Sequence, residues 1–241
     1  MPATQNSFPT IIFDRVIAGY TAERPVYENV SFTFTGPALI HLHGKNGSGK
    51  STFVELASGY LSPWSGTVLV NGTSANDPEG RNRRRVCRSE AALFAQMTAR
   101  DHLVFACIAR DMDPGLEILR AIQLGIEPWL DENAGNLSTG NARKLWYIMN
   151  TVGQFDCVVL DEPFNGTDAE GVAYMVDEIR RWAEAKLVVI VTHSLQDVFP
   201  EASTVRLEDL KSPAASGMRG GSLDAAADGG AAARRAAAPP S

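Results

Sequence analysis

The sequence of 241 residues is poor in cysteine and in basic residues, and each shortage excludes a class of protein. Its three cysteines, Cys87, Cys107 and Cys157, form no CxxC pair. This argues against a disulfide framework or a cysteine metal site and indicates reduced thiols of a cytosolic protein. The 22 basic residues are outnumbered by 28 acidic ones, which gives a formal charge of -6. Proteins that coat nucleic acid usually have a basic balance, so we expect no nucleic-acid partner.

Long apolar runs are absent as well. No window approaches the roughly 18 to 20 consecutive apolar residues that cross a bilayer. The N-terminus lacks the charged segment and apolar run of a secretory signal. Residues 211–241 are rich in Ala, Gly and Pro and contain few large apolar side chains. We therefore expect one ordered domain at 1–210, followed by a disordered tail at 211–241.

The expected ordered part alternates between strand-like and helix-like segments. Unbroken apolar runs at 157–160 and 187–191 suit strands of a parallel sheet that is covered on both faces. A helical pattern at 170–185 lies between them, which predicts an α/β fold with right-handed crossovers. Section 98–152 lacks strand signals and is expected to be helical, with breaks at its two prolines. Shorter strands are predicted at 11–16, 30–34, 38–42 and 67–70, and a helix at 52–58.

A phosphate-binding loop follows the strand predicted at 38–42. The segment 44–52 matches G-x-x-x-x-G-K-[ST] and lies between a predicted strand and a predicted helix. Its glycines allow a tight turn, so that successive main-chain N–H groups can point at phosphate oxygens, and the helix adds its positive end. A lysine then reaches the terminal phosphates and a serine hydroxyl can bind Mg²⁺. The candidate nucleotide-binding residues are Gly44, Lys45, Asn46, Gly47, Ser48, Gly49, Lys50, Ser51 and Thr52.

Two carboxylates end the buried strand predicted at 157–160. Ligands of open α/β sheets bind at the carboxyl ends of the strands, where Asp161 can hold Mg²⁺ through water. The neighbouring Glu162 can activate the attacking water as a general base. His41 and His43 alternate on the strand before the loop, and we interpret them as structural because no third metal ligand accompanies them.

Together these two motifs resemble the ATP-binding subunits of the ABC transporter family, over about residues 10–208. The resemblance implies a P-loop NTPase fold of the ABC type, with a mostly parallel core sheet, an antiparallel β subdomain and a helical subdomain at about 98–152. It also implies ATP and Mg²⁺ as cofactors. Four further elements match the family's order: Tyr20, where an aromatic stacks on adenine; Ser138 and Gly140, in the place of the Leu-Ser-Gly-Gly-Gln signature; Asp168, in the D-loop; and His193, in the place of the switch histidine.

The resemblance also implies how these residues act. Two such domains meet head to tail, and each ATP lies between the phosphate loop of one subunit and the signature of the other. Lys50, Glu162 and His193 are then the catalytic residues. The nucleotide contacts are the loop residues together with Tyr20, Ser138, Gly140 and Asp168. Ser51, Asp161 and Glu90 are the predicted metal-binding residues.

Several positions depart from the family pattern. Thr139 replaces the first signature glycine and Asn141 the glutamine. Counting back from Met97, Glu90 stands where the family has its Q-loop glutamine. An ionised glutamate only accepts hydrogen bonds, so we expect altered Mg²⁺ affinity or slower coupling. Arginines cluster just before it, at positions 81, 83, 84, 85 and 88, either as a solvated basic face or as a contact for a membrane partner.

The resemblance favours an ATP-hydrolysing subunit that powers transport through separate transmembrane permease subunits. Such a chain acts at the cytoplasmic face of the cell membrane and pairs with a second ATP-binding subunit. The segment from Asp161 to Val172 loosely resembles the haem-exporter ATPases. Two alternatives stay open: a soluble ABC-type ATPase, for example in iron–sulfur assembly, and a weakly hydrolysing half of a heterodimer.

Overall fold

The computed structural model describes residues 8–21, 23–192 and 198–211. The predicted switch residue His193 and nearly all of the predicted disordered tail lie outside the described residues. The strands are β1 (Thr10–Ala18), β2 (Tyr27–Thr35), β3 (Ala38–His43), β4 (Ser65–Val70), β5 (Thr73–Ser74), β6 (Arg84–Cys87), β7 (Cys157–Asp161), β8 (Leu187–Val191) and β9 (Ser203–Arg206). The helices are α1 (Lys50–Ser58), α2 (Ala99–Ile108), α3 (Gly115–Gln123), α4 (Thr139–Asn150), α5 (Ala169–Ala183) and α6 (Leu207–Leu210).

A five-stranded parallel sheet has the order β6-β7-β8-β3-β9. Strands β7 and β8 are buried at every position, as their unbroken apolar sequences predicted. β3 lies between β8 and β9 and pairs with both in parallel register. All five strands run in one direction, so the loops after β3, β6, β7 and β8 meet at one edge of the sheet. The predicted α/β architecture is confirmed.

A second, antiparallel sheet has the order β2-β1-β4-β5. Alternate side chains of β1 enter the core, among them Phe13. The Phe13 ring stacks on Phe32 of β2 at 4.5 Å and on Phe53 of α1 at 5.5 Å between centroids. Aromatic packing of this kind fixes α1, the helix that follows the phosphate loop, against the antiparallel sheet.

Strand β6 corrects the expectation for the arginine cluster. Arg84 and Arg85 are only 6% and 5% exposed and lie within β6. Arg84 donates to the main-chain oxygens of Ser58 and Ala75, and Arg85 donates to that of Val152. The cluster is therefore not one solvated or partner-binding face, because two of its guanidinium groups satisfy main-chain oxygens inside the protein.

Section 98–152 contains three of the helices, α2, α3 and α4. Helices α2, α3 and α4 pack around a core that includes Leu103, Leu124 and Leu145. The first proline of the section, Pro114, stands directly before α3. No helix among the residues described is both long enough and apolar enough to cross a membrane.

A buried ionic network joins this helical section to the core. Arg120 of α3 pairs with Glu117 at 2.5 Å and with Glu178 of α5 at 2.8 Å. The Glu178 carboxylate also accepts from the hydroxyl of Tyr147, and Arg120 donates to Thr151. Burial alone would lower the pKa of Arg120, yet the two carboxylates raise it. The network holds α3, α4 and α5 together.

We expect Arg120→Leu to lower the free energy of unfolding by about 3–5 kcal/mol, because it leaves two buried carboxylates without their cation. Urea denaturation measures the change. The matched control is Arg100→Leu, which removes an exposed arginine paired with Asp131 at 2.7 Å and should cost far less. Equal losses in the two variants would contradict this account.

Candidate nucleotide-binding site

The loop between β3 and α1 has the backbone shape of an anion-binding loop. Gly47 and Gly49 adopt φ values of 76° and 105°, which favour glycine. A Cβ atom on Gly49 would lie 2.7 Å from Cγ1 of Val26, so a side chain has no room there. Gly49 directly precedes α1, so the free N–H groups at the start of this helix face the same space as the loop.

Lys50 folds over this loop. Its ammonium group donates to the main-chain oxygens of Gly44 at 2.8 Å and of Lys45 at 3.1 Å. Within the part of the chain that the structure describes, the hydroxyl oxygen of Ser48 is buried without a hydrogen-bond partner. The ammonium group of Lys50 can form charge-assisted hydrogen bonds to an anion once it leaves these main-chain oxygens.

The outer edge of the loop is held by residues from the far end of the described chain. The main-chain N–H of Lys45 donates to the Glu208 carboxylate at 2.8 Å, and this hydrogen bond lowers the pKa of Glu208. Lys211 donates to the main-chain oxygen of Ser48 at 2.9 Å. No motif predicts these contacts, because they join positions 163 residues apart.

The two carboxylates stand at the end of β7, as predicted. Asp161 is nearly buried, which raises the pKa of its carboxyl group, while the Ser89 hydroxyl and N–H donate to it and oppose the shift. Glu162 has φ 47° and its N–H donates to Val191. Its carboxylate accepts from the Thr192 hydroxyl at 2.8 Å. Asp161 is buried and accepts from Ser89, whereas Glu162 accepts from Thr192, so the two carboxyl groups lie in different environments.

Lys50, the two carboxylates and part of the phosphate loop line one cleft of about 390 Å³. The cleft brings together most of the predicted site at the edge where the parallel strands end. Gly44, Lys45 and Ser48 belong to the loop but do not line the cleft. The residues that line it are Tyr20, Val26, Asn46, Gly47, Gly49, Lys50, Ser51, Thr52, Ser89, Asp161 and Glu162.

Ser89, which the sequence analysis missed, lies beside Asp161 at the edge of the cleft. Ser89 contacts Asp161 and lines the cleft, whereas Glu90 is exposed and lines an adjoining cleft of about 320 Å³ together with Ser51 and Asp161. The metal-binding role of Glu90 stays a prediction.

The predicted signature residues lie away from the cleft within this chain. The Ser138 side chain caps α4 by accepting from the N–H of Asn141 at 3.2 Å. A Cβ on Gly140 would lie 2.5 Å from the main-chain oxygen of Gly166, so the start of α4 touches the loop before α5. Asp168 caps α5 and pairs with the buried Lys144 at 2.6 Å. Helix capping thus accounts for these contacts of Ser138 and Asp168, and helix packing accounts for the close approach at Gly140.

His41 is buried, and its Nε2 lies 3.2 Å from the main-chain oxygen of Thr192. Burial lowers the pKa of His41. Across residues 8–21, 23–192 and 198–211, no group of three or more His, Cys, Asp or Glu side chains is arranged to hold a metal ion by itself.

The fold and the cleft together define a P-loop nucleotide-binding protein: a parallel α/β sheet with a phosphate loop after one strand and an acidic pair after another. Solved structures share this fold. The ATP-binding subunit of an ABC transporter superposes with a TM-score of 0.73 at 22% identity, over 81% of this chain and 85% of that one. A bacterial Atm1-family ABC exporter with ATP bound also gives 0.73, at 21% identity, over 85% of this chain and 38% of that one.

The sequence comparisons are more specific. The sequence model of the family described as ABC transporter matches residues 27–165. ABC transporter A family member 4 of Dictyostelium discoideum is 30% identical over 190 residues, which is 76% of this chain and 11% of that protein. The mouse (Mus musculus) ABC-type organic anion transporter ABCA8A is 36% identical over 156 residues, which is 63% of this chain and 10% of that protein.

The chain therefore belongs to the ABC transporter family, as its motifs predicted. It spans about a tenth of the length of the two curated relatives named above. The looser resemblance to haem-exporter ATPases stays a prediction.

Proposed function

We propose that this chain binds ATP with Mg²⁺ in the cleft and hydrolyses it as the ATP-binding subunit of a transporter. The observation that carries the proposal is the single cleft shared by the phosphate loop, Lys50 and the Asp161–Glu162 pair. Main-chain N–H groups and the Lys50 ammonium group form the positively charged side of the cleft, which binds phosphate. The carboxylates on the other side bind the metal ion and act as the general base.

The donor set of the cleft fits Mg²⁺. Ser51 offers a hydroxyl and Asp161 a carboxylate, and both line the cleft. Mg²⁺ prefers oxygen ligands, and it is usually held by one or two protein groups together with waters and substrate phosphates. The small number of protein ligands is therefore what a nucleotide-bound Mg²⁺ requires. When bound, the ion would neutralise charge on the phosphates.

Each catalytic residue has a separate role in this proposal. Lys50 leaves its loop carbonyls and binds the terminal phosphates. Glu162, held by Thr192, orients and deprotonates the attacking water. His193 contacts the γ-phosphate, a role proposed from the family pattern alone.

Lys50→Ala should weaken ATP binding by about 10- to 100-fold, because it removes one charged hydrogen-bond donor from the phosphates. Calorimetric titration with Mg²⁺-ATP measures the affinity, and phosphate release measures turnover. Arg81→Ala removes an exposed cation outside the cleft and is the matched control. Unchanged ATP affinity in Lys50→Ala would contradict the proposed site.

Glu162→Gln should reduce phosphate release by about 10²- to 10⁴-fold while leaving ATP affinity within a few fold, because the amide cannot accept the proton. Glu184→Gln, at the exposed end of α5, is the control. Turnover that persists in Glu162→Gln would assign the general base to another residue.

The second ATP-binding subunit is part of the proposal, because Ser138 and Gly140 stand outside the cleft of their own chain. The Ser138 hydroxyl accepts from Asn141, which leaves its own proton free for a γ-phosphate. The start of α4 adds a positive helix end. In a head-to-tail pair, this surface closes the partner's cleft.

Ser138→Asp separates the capping role from the phosphate role, because aspartate caps helices as well as serine does. We expect unchanged thermal stability and unchanged ATP binding to the single chain. Turnover and ATP-driven dimerisation should fall at least about 10-fold, since a carboxylate then faces the γ-phosphate. Sedimentation with and without ATP measures dimerisation. Full turnover in this variant would refute binding across the dimer.

Membrane subunits complete the proposed transporter. The relatives named above include a transporter of organic anions, but the substrate of this chain is not part of the proposal. We expect a peripheral subunit at the cytoplasmic face of the cell membrane. Co-purification from detergent with a protein of several membrane spans separates this role from a soluble ABC-type ATPase. A weakly hydrolysing half of a heterodimer would instead show little turnover until its partner is added.

A further inference from the structure

Tyr20, which lines the cleft, is tied to α1 by its hydroxyl group. The hydroxyl donates to Oε2 of Glu55 at 2.7 Å and accepts from the hydroxyl of Thr52 at 3.4 Å. The residue itself is 60% exposed, so its ring has little packing to hold it. These hydrogen bonds therefore restrain the orientation of the ring.

Glu55 has a second partner that fixes it in turn. Arg88 donates to its other oxygen, Oε1, at 3.0 Å, and the Glu55 side chain is only 13% exposed. The Arg88 guanidinium also lies 4.8 Å from the centroid of the Tyr60 ring. Both carboxylate oxygens of Glu55 are thus occupied, one by the cleft residue and one by the arginine.

The chain of contacts continues to the acidic edge of the cleft. Arg88 directly precedes Ser89, whose hydroxyl and N–H donate to Asp161. A continuous path therefore runs from Tyr20, in the loop after β1, through Glu55, Arg88 and Ser89 to Asp161 at the end of β7. Tyr20 and Asp161 line the same cleft from the two ends of this path.

We propose that Glu55 is a positioning residue for the nucleotide base: it holds the Tyr20 ring ready for stacking and is itself anchored by Arg88. The inference rests on the proposed ATP-binding function. An exposed ring that is already ordered loses less side-chain entropy when a base stacks on it, and base–aromatic stacking is a substantial contribution to binding. A glutamate that only stabilised α1 would have no effect on the binding of the base.

The test compares ATP with inorganic tripolyphosphate, which has the phosphates but no base. We expect Glu55→Ala to weaken ATP binding about three- to tenfold, the effect of losing one hydrogen bond, and not to weaken tripolyphosphate binding. Tyr20→Phe keeps the ring and removes the hydroxyl, and it should do the same. Glu170→Ala, exposed in the first turn of α5, is the matched control. Calorimetry in Mg²⁺ measures both affinities, and thermal melting checks the fold.

The double variant decides the mechanism. If Glu55 acts through the Tyr20 hydroxyl, Glu55→Ala has no further effect on ATP affinity in the Tyr20→Phe background. Equal weakening of ATP and tripolyphosphate, or no change in either, would overturn the positioning role. An unaltered chain that binds neither ligand would instead refute the proposed function and this inference with it.

Discussion

Main-chain N–H groups bind a multiply charged anion only while the backbone is held in a shape that most residues avoid. In this chain the shape depends on glycine at positions 47 and 49, where φ is positive. The ends of the loop are anchored in β3 and α1, and its outer edge is held by Glu208 and Lys211. The acidic pair acts on the same space because β7 runs parallel to β3 and ends at the same edge.

The local parts of this arrangement could be predicted from the sequence. The loop motif, the acidic pair and the apolar strands β7 and β8 are contiguous segments whose residue types determine their conformation. The helix after the loop was predicted close to its observed bounds, because Gly59 ends it with φ 72°. The family resemblance supplied the order of the remaining elements.

The parts that depend on tertiary contacts could not be predicted. Arg84 and Arg85 look like surface residues, yet they lie buried in β6 because main-chain oxygens accept from their guanidinium groups. Glu208 reaches the phosphate loop only once β9 pairs with β3. The contact of Ser89 with Asp161 depends on where β6 ends, and element ends are the least certain part of a sequence-based prediction.

The position of β3 affects how the protein forms during synthesis. β3 bonds to β8 and β9, and its loop is completed by a residue 163 positions further on. At about 5–20 residues per second, a ribosome needs roughly 8 to 30 s to add that length of chain. For most of that interval β3 and its loop have neither β8 nor β9 beside them. The ability to hold an anion is therefore acquired late, when residues beyond β9 have left the ribosome.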